Sequence, residues 1–260
     1  MDMEIASLLT SAEIRVHLSA GALIACEMKR TWGKSAVSRK ASFEFIAGER
    51  AIAMDALATW IADAPARRTI VWIVGTTEAQ YFMLPWSPAH QDRVLRDAYA
   101  RERFEQLYEQ DASQARFCFA EQSAGKGQLV SCISNQLHAE LVAHAESAGC
   151  ELAGIKPSIS AVWDRFRDVL ETEQGTLCVV DGDRQAIVRH NKTHIEDIVV
   201  KARGEIPPAP ASRQGVFRLF SNAATREPAS KPYANLNLPT RRGFVAAQDA
   251  AYSFALCGAL

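Results

Sequence analysis

The sequence predicts an α/β protein, and three observations support this class. Segments with strand patterns and segments with helix patterns follow one another along the 260 residues. Thr69 to Val74 is a continuous β-branched and aromatic run, which is typical of a buried central strand. His90 to Gln110 carries an apolar stripe among many charges, which predicts an amphipathic helix. The length allows one large domain or two modest ones.

The first part of the chain shows strand patterns and then a helix pattern. From Glu13 to Ser19, polar and apolar residues alternate, which predicts a half-buried strand with Arg15 and His17 opposite its apolar face. Ala20-Gly21 is typical of a tight turn. The elements predicted next are a strand, another strand and a helix, at Leu23 to Met28, Ser42 to Ile46, and Glu49 to Ala62.

Beyond the buried run, the patterns predict a further set of strands and helices. Prolines at 85 and 88 disfavour continuation of the strand before them. Gly149 is a good C-terminal glycine for the last helix of this set. Besides the helix at 90–110, the predicted elements are strands Gln80 to Leu84, Phe117 to Ala120 and Gln128 to Ile133, and helix Asn135 to Ala148.

The remaining chain divides by composition. Asp181-Gly182-Asp183 is a strong hairpin-turn signal between two strand-like segments. The stretch Glu205 to Pro239 holds six of the ten prolines and predicts a poorly ordered linker or an extended arm. Phe244 to Leu260 predicts a buried or docking helix. The other predictions are strands Cys150 to Lys156, Gly175 to Val180 and Gln185 to Arg189, a helix Ser158 to Leu170 capped by Ser158, and a helix from a Thr193 cap to Ala202.

Composition excludes several classes of function. The net charge is −1, from 29 basic and 30 acidic residues, which argues against broad binding to nucleic acid or to an anionic membrane. No run reaches the roughly 20 apolar residues of a membrane helix. The N-terminus has acids where a signal peptide needs positive charge. The six cysteines form no CxxC pair, so a reducing cytoplasm is the expected location.

A search for catalytic motifs finds no complete set. Ala124 to Gly127 precedes a strand, so a hairpin turn is favoured over a phosphate-binding lysine loop. His190 and His194 have the spacing of a metal pair on a helix, but no third ligand is fixed. Asp181-Gly182 follows a buried strand, where an acid can hold a metal ion beside nucleotide phosphates. A plain hairpin turn is the competing interpretation of that pair.

The order of elements resembles the actin-like ATPase superfamily (ASKHA), a ribonuclease H-like duplicated fold. Within it, the chain resembles the cytoplasmic PilM and GspL type of type IV pilus and type II secretion assembly platforms. The residues that carry the resemblance are Tyr81 to Ser87, the helix segment Ala98 to Phe104, the strand and helix of Cys132 to Leu141, and Gly149 to Pro157. They imply a first subdomain at 1–149 with inserted elements, a truncated second half at 150–204, and a Pro-rich arm with a C-terminal helix at 205–260.

The resemblance implies two nucleotide-binding hairpins. Their candidate residues here are Ser19 and Gly21 in the first turn and Asp181 and Gly182 in the second. The first turn lacks the acid that such ATPases carry, and no glycine pair for adenosine is found near the C-terminus. We therefore expect a degenerate member with no catalytic residues, no metal and no required cofactor. The alternative is a nucleotide-binding ATPase or kinase-like enzyme that uses ATP and Mg²⁺.

The expected function is that of a non-catalytic cytoplasmic scaffold of a pilus or secretion platform. PilM-type proteins bind a short peptide from a membrane partner, so a protein partner of the inner-membrane platform is expected, without direct membrane insertion. Trp86 lies between two prolines after a strand and is the candidate anchor, with a core aromatic as the competing interpretation. A homodimer is a further possibility, and an unrelated α/β enzyme with a dispersed site is a second alternative.

Overall fold

The computed structural model describes residues 12–31, 34–46, 48–63, 68–121, 124–170, 174–191, 194–204, 215–220 and 233–259. Thirteen strands form two five-stranded sheets and one three-stranded sheet within these ranges. The strands are β1 Ala12–Leu18, β2 Ala22–Thr31, β3 Lys34–Glu44, β4 Arg68–Val74, β5 Gln80–Leu84, β6 Ala115–Phe119, β7 Gln128–Ser134, β8 Glu151–Pro157, β9 Gln174–Asp181, β10 Arg184–Asn191, β11 His194–Ala202, β12 Gly215–Phe220 and β13 Tyr233–Asn235. The α-helices are α1 Arg50–Ala62, α2 Arg93–Tyr108, α3 Asn135–Ser147, α4 Ser158–Phe166 and α5 Ser253–Leu256.

The two five-stranded sheets have the same topology. The first has the order β3-β2-β1-β4-β8 and the second β11-β10-β9-β12-β13. In each, the first three strands form an antiparallel meander, and the last two continue in parallel beside the first strand. The chain therefore contains one sheet architecture twice, as expected of a duplicated fold.

Helices cover both faces of the first sheet. On one face, the imidazole of His144 in α3 packs edge-on against Trp72 of β4 and bonds to the carbonyl of Met54 in α1 over 3.0 Å. On the other face, the guanidinium of Arg15 donates to the carbonyls of Ala255 and Cys257 over 2.6 and 2.7 Å. Burial of Arg15 is tolerated because its donors meet carbonyl acceptors there. The strand predicted at Glu13 to Ser19 is confirmed as β1, but its predicted half-burial is wrong because the C-terminal segment covers its polar face.

The three-stranded sheet β5-β7-β6 is an insertion between β4 and β8 with a small core of its own. Helix α2 covers one face of this sheet. Its buried Phe104 lies edge-on to Phe117 of β6, with ring centroids 5.3 Å apart. The opposite face contributes Tyr81, Leu129 and Ile133 to the large core shared by the two other sheets. The insertion thus packs against the rest of the molecule through this face, and its outer strand β5 also lies beside β11.

The helix predicted up to Ala202 is wrong. Residues His194–Ala202 form strand β11, paired antiparallel with β10. Ile195 and Ile198 are buried, and the β-branched residues of this segment pair well across a sheet. Thr193, its predicted cap, lies outside the described residues. His190 and His194 consequently lie on neighbouring strands rather than on one helix face.

The linker predicted over 205–239 is wrong where the structure describes it. Strand β12 occupies an inner position of the second sheet, beside β9, with Val216, Leu219 and Phe220 buried. Residues 205–214 and 221–232 lie outside the described residues. The stretch is rich in proline, and its only short apolar run, which forms β12, gives a weak local signal beside these prolines. The predicted C-terminal helix is reduced to a 3-10 turn, Ala250–Tyr252, and the four residues of α5.

The other predicted elements are confirmed, with shifts at their ends. The third strand begins at Lys34 rather than Ser42, and α4 ends at Phe166 rather than Leu170. Ser158 is the first residue of α4 and does not cap it. Strand β8 is hydrogen-bonded into the first sheet, and the division of the chain at 149 and 204 stays a prediction. No described helix has the length and apolar character needed to span a bilayer.

Candidate functional site

The two predicted nucleotide hairpins face each other. A Cβ added to Gly182 would lie 3.6 Å from the Cβ of Ala20, so the turn after β9 touches the turn after β1. Gly182 has a φ of 61°, which glycine adopts without strain. The amide and hydroxyl of Ser19 both donate to the Ala22 carbonyl, over 3.0 and 3.3 Å. The carbonyl of Gly21 accepts from the Phe45 amide over 2.9 Å. Ser19 and Gly21 thus hold their own turn.

Asp181 lies at the junction of the two large sheets and is completely buried. Its Oδ2 is 3.2 Å from Nε2 of His17 and accepts from the Thr76 amide, also over 3.2 Å. His17 belongs to β1 and Thr76 follows β4, so two polar groups of the first sheet bind an acid of the second. In this arrangement the carboxylate holds the two sheets together. It has no exposed surface on which a solvent-borne metal ion could bind.

Gly75 allows the close approach on which this junction depends. A Cβ at this position would lie 2.4 Å from Oδ2 of Asp181 and 2.6 Å from the carbonyl oxygen of Leu18. The amide of Gly75 also donates to that carbonyl, over 2.8 Å. Since real Cβ atoms do not approach other atoms so closely, any other residue would force the strand ends apart.

The C-terminal segment closes the junction. The ring of Phe254 stacks on His17, with centroids 4.9 Å apart and planes 17° from parallel. Lys40 of β3 binds Asp249 over 2.6 Å and fixes the segment to the first sheet. Burial acts to raise the pKa of Asp249, but hydrogen bonds from Lys40 and the Val245 amide, with the charge of Lys40, lower that pKa overall.

Three buried polar atoms of the junction form no hydrogen bond with any described residue. They are Oδ1 of Asp181, Nδ1 of His17 and Oγ1 of Thr76. Buried polar atoms without a partner cost free energy, so these three atoms oppose the stability of the junction. Within the residues that the structure describes, no group of three or more His, Cys, Asp or Glu side chains could hold a metal ion.

An apolar groove of about 310 Å³ lies between the first sheet and the insertion. One wall is β8, with Leu152, Gly154 and Ile155, and the other is β6, with Arg116 and Cys118. Both strands are outer strands of their described sheets, so each presents a strand edge.

A second groove, of about 890 Å³, lies on the other side of β6, toward α2. Its lining includes four arginines and two acids. The arginines are Arg93, Arg96, Arg101 and Arg116, and the acids are Asp97 and Glu121. The Arg96 guanidinium lies 4.4 Å from the centroid of the Phe119 ring, a cation–π contact that holds it over the strand.

Trp86 lies on the surface, and 43% of its area is exposed. It lines a groove of about 450 Å³ with Leu95 and Tyr99 of α2, which are also exposed. His90 lines both this groove and the arginine groove, so the two are neighbours. A core position for Trp86, the competing interpretation, does not fit this exposure.

Neither a protein-family model nor a curated protein sequence matches the chain. Solved structures do. The cytoplasmic domain of EpsL, an inner-membrane component of the type II secretion system of Vibrio cholerae, matches over 96% of both chains, with a TM-score of 0.59 and 13% identity. A Bacteroides thetaiotaomicron protein of unknown function with an actin-like ATPase fold matches over 84% of this chain and 85% of its own, with a TM-score of 0.55 and 8% identity.

This chain has the actin-like ATPase fold. The duplicated sheet order and the structural matches agree on this point, and the predicted fold class is confirmed. A further match is the PilM-PilN type IV pilus biogenesis complex, with a TM-score of 0.54 and 14% identity. The match spans 73% of this chain and 61% of that one.

The sequence indicated the residues that the second sheet contributes to the junction, but not those that the first sheet contributes. Asp181 and Gly182 were selected because an acid and a glycine follow a buried strand. The alternation at β1 places His17 opposite the apolar face, and no motif marks Gly75. Leu18 and Val74 end two strands that pair in parallel, so His17 and Gly75 beside them meet at one edge of the sheet. Recognising this pairing would have indicated both residues.

Proposed function

We propose that this chain is a scaffold that holds a partner protein of a pilus or secretion assembly platform and does not turn over ATP. The observation that carries the proposal is the state of Asp181. Its carboxylate is fully buried and bound by His17 and by the Thr76 amide, whereas a magnesium ligand needs access to the ion. The acid that the resemblance assigned to nucleotide is engaged in holding the sheets together.

Two of the similar structures support the partner part of the proposal. EpsL is a component of a secretion system, and PilM occurs in a complex with PilN. We place the partner in the groove between β8 and β6 because the lining of this groove is mostly apolar. Grooves between subdomains with free strand edges suit an extended peptide. By analogy with EpsL and PilM, we propose a cytoplasmic location and an inner-membrane partner.

Trp86 remains the proposed anchor residue for the partner. Exposed tryptophans are favoured at interface hot spots, and Trp86 lies beside two further exposed apolar side chains of α2. Trp86→Ala should weaken partner binding about tenfold or more, within the range of hot-spot effects, and change the melting temperature little. Titration calorimetry with the partner, and thermal melting without it, would measure the two effects separately.

Cross-linking from the groove tests the partner proposal. Cys118 is exposed at the groove, whereas the other five cysteines are buried. A benzophenone maleimide should therefore label Cys118 and, under illumination, attach the labelled chain to a bound partner. The probes are the cytoplasmic segments of inner-membrane platform proteins from the same genome. One of them should form a covalent adduct that an unlabelled copy of this chain suppresses.

A matched control carries the same label elsewhere. Asp168 is almost fully exposed after α4, and it lines none of the three grooves described here. The double variant Cys118→Ser/Asp168→Cys should give no adduct. Equal adducts from both positions would contradict docking at the groove.

The alternative function, nucleotide binding by the same fold, rests on the three unpartnered polar atoms at the junction. Such atoms could bind a ligand if the sheets moved apart. Mg·ATP would then raise the melting temperature, and Asp181→Asn would abolish the rise. We expect no shift and no phosphate release. ATP hydrolysis that Asp181→Asn removes would overturn the scaffold proposal.

A further inference from the structure

The two strand edges at the apolar groove differ in their ability to accept another strand. Strand β8 has a bulge at Ala153, where the register to β4 shifts, and it ends in Pro157. Bulges and prolines are common protections against edge pairing. Strand β6 pairs with β7 without a register shift and contains no glycine, proline or lysine. Of these two edges, β6 is the one that remains open to pairing.

The two faces of β6 meet different chemical environments. Phe117 and Phe119 point toward α2, where Phe104 and Arg96 lie against them. Arg116 and Cys118 point to the other side, where Arg116 lies 2.7 Å from Nε2 of His138. Beyond the open edge, the α2 side continues into the arginine groove and the other side into the apolar groove. A strand added here would direct alternate side chains into each.

The α2 side carries an excess of positive charge. Three arginines of α2, Arg93, Arg96 and Arg101, line it together with the two acids Asp97 and Glu121, although the whole chain has a net charge of −1. Asp97 lies between Arg93 and Arg96, at 3.9 and 3.7 Å, so one carboxylate is shared at long distance by two guanidiniums. Charge-assisted bonds to carboxylates are the contacts that arginines favour. The groove therefore suits acidic side chains.

We infer that the open edge of β6 binds an extended partner segment in which acidic and apolar residues alternate. The segment adds a strand to the sheet, its acids meet the α2 arginines, and its apolar residues enter the groove beside β8. This inference rests on the proposed scaffold function and specifies the chemistry of the partner.

A second copy of this chain fits the edge less well. Antiparallel pairing of β6 with its own copy, about a two-fold axis normal to the sheet, places both α2 faces on the same side. The arginine sets of the two copies would then approach each other, which is unfavourable. A partner of opposite charge avoids this repulsion.

Synthetic peptides test the pattern directly. The probe is a fluorescein-labelled decapeptide in which Glu and Val alternate, and fluorescence anisotropy with the full chain gives its Kd. The comparison peptides are an alternating Lys and Val decapeptide and a block peptide of five Glu followed by five Val. We expect the alternating Glu peptide to bind at least about tenfold more tightly than either. Equal binding of the Lys peptide would overturn the inference.

Backbone methylation separates strand addition from side-chain contact alone. In an added strand, alternate amides face the neighbouring strand. One version of the probe is N-methylated at every Glu and the other at every Val. One of the two should lose binding and the other should keep it. Retention of binding by both versions would exclude a strand added to β6.

Charge reversal on α2 tests the arginine groove. Arg93→Glu/Arg96→Glu should raise the Kd of the alternating Glu peptide about tenfold or more. Because Arg96 contacts Phe119, the single variant Arg93→Glu serves as well: its side chain is 85% exposed, and it should raise the Kd while leaving the melting temperature unchanged. The control Arg167→Glu, exposed beyond α4, should leave the Kd unchanged. No difference between Arg93→Glu and Arg167→Glu would overturn the inference.

Other occupants give different results. A concentration-dependent dimer that the peptide dissociates would assign the edge to a second copy, and displacement of the peptide by a twenty-nucleotide oligo-dT would assign the arginines to nucleic acid. Either result overturns the inference. A platform protein could cross-link to Cys118, bind Arg93→Glu/Arg96→Glu as tightly as the native chain, and lack alternating acidic and apolar residues. In that case the scaffold function stands and the strand inference fails. If no platform protein cross-links, the scaffold function fails independently of the peptide result.

Discussion

The junction around Asp181 and the open edge of β6 are both places where separate sheets approach each other, but they differ in burial and in access to solvent. At the junction, an acid, an imidazole and an amide meet in a buried contact that the C-terminal segment covers. At β6, a strand edge, four arginines and an apolar groove remain at the surface. The buried contact therefore contributes to stability, whereas the insertion leaves a strand edge accessible at the surface.

The largest effect is expected from Gly75→Ala. The added Cβ would lie 2.4 Å from Oδ2 of Asp181 and 2.6 Å from a backbone oxygen, so the sheets must separate. We expect a loss of about 4 kcal/mol or more in the free energy of unfolding, or failure to fold. Denaturant unfolding measures the change. The control is Gly154→Ala beside the open groove, where a Cβ meets nothing within 4 Å, and it should cost less than about 1 kcal/mol. Equal costs at both sites would break the contrast between a closed junction and an open groove.

His17→Phe comes next in size. Phenylalanine keeps the stack on Phe254 but leaves the buried carboxylate of Asp181 without its imidazole partner. We expect a loss of about 2–3 kcal/mol, measured by chemical denaturation. A double-mutant cycle with Asp181→Asn isolates the contact between the two side chains. Additive effects of the two substitutions would show that the histidine and the acid do not stabilise each other.

Thiol reactivity should distinguish the open edge from the cores. Burial raises the pKa of Cys26, Cys132 and Cys257 to about 12, and it also raises those of Cys150 and Cys178. Thiolate, the reactive form, is therefore scarce at these sites even at pH 9. The native chain should release one equivalent of thionitrobenzoate from Ellman's reagent at pH 8, and Cys118→Ser should release none. A second fast thiol in the native state would contradict the burial of the remaining cysteines.

The smallest effect is expected from Lys40→Met, which weakens the cover of the junction. The contact of Lys40 with Asp249 is partly exposed, so we expect a loss of about 0.5–1 kcal/mol at neutral pH. The pKa of Asp249 is lowered in the folded chain, so its stabilising contribution is present above the unfolded pKa near 3.8 and disappears as the pH falls through the lower folded value. The difference between the two proteins should therefore shrink below about pH 4 in thermal melts. A difference that is constant from pH 7 to pH 3 would exclude this ion pair as its cause.

Local patterns were sufficient to predict most of the first half of the chain. The run at β4, the short strand β5 and helix α3 were predicted almost to the residue, because each combines a clear period with a glycine or proline at its end. The antiparallel hairpin of β9 and β10 followed from Asp181-Gly182 in the same way. These signals lie within a few residues of the element they define. Their recurrence in two halves was enough to indicate a duplicated fold.

Two kinds of information depended on the tertiary structure. The first was the secondary structure of segments whose own pattern is ambiguous. Residues 194–202 and 215–220 are strands because the second sheet provides neighbouring strands for them, and no local periodicity indicates this. The second was the burial of polar residues. Arg15 and His17 alternate with apolar residues as on a solvent-facing strand, and they are buried because a segment some 240 residues away covers them. The sequence by itself determined the elements and their order, because propensity and turn chemistry are local. Only the packing of distant segments decided which polar groups are buried and structural and which remain at the surface. The reason is that the free energy of a buried charge depends on its partners, and these partners lie far away in the sequence.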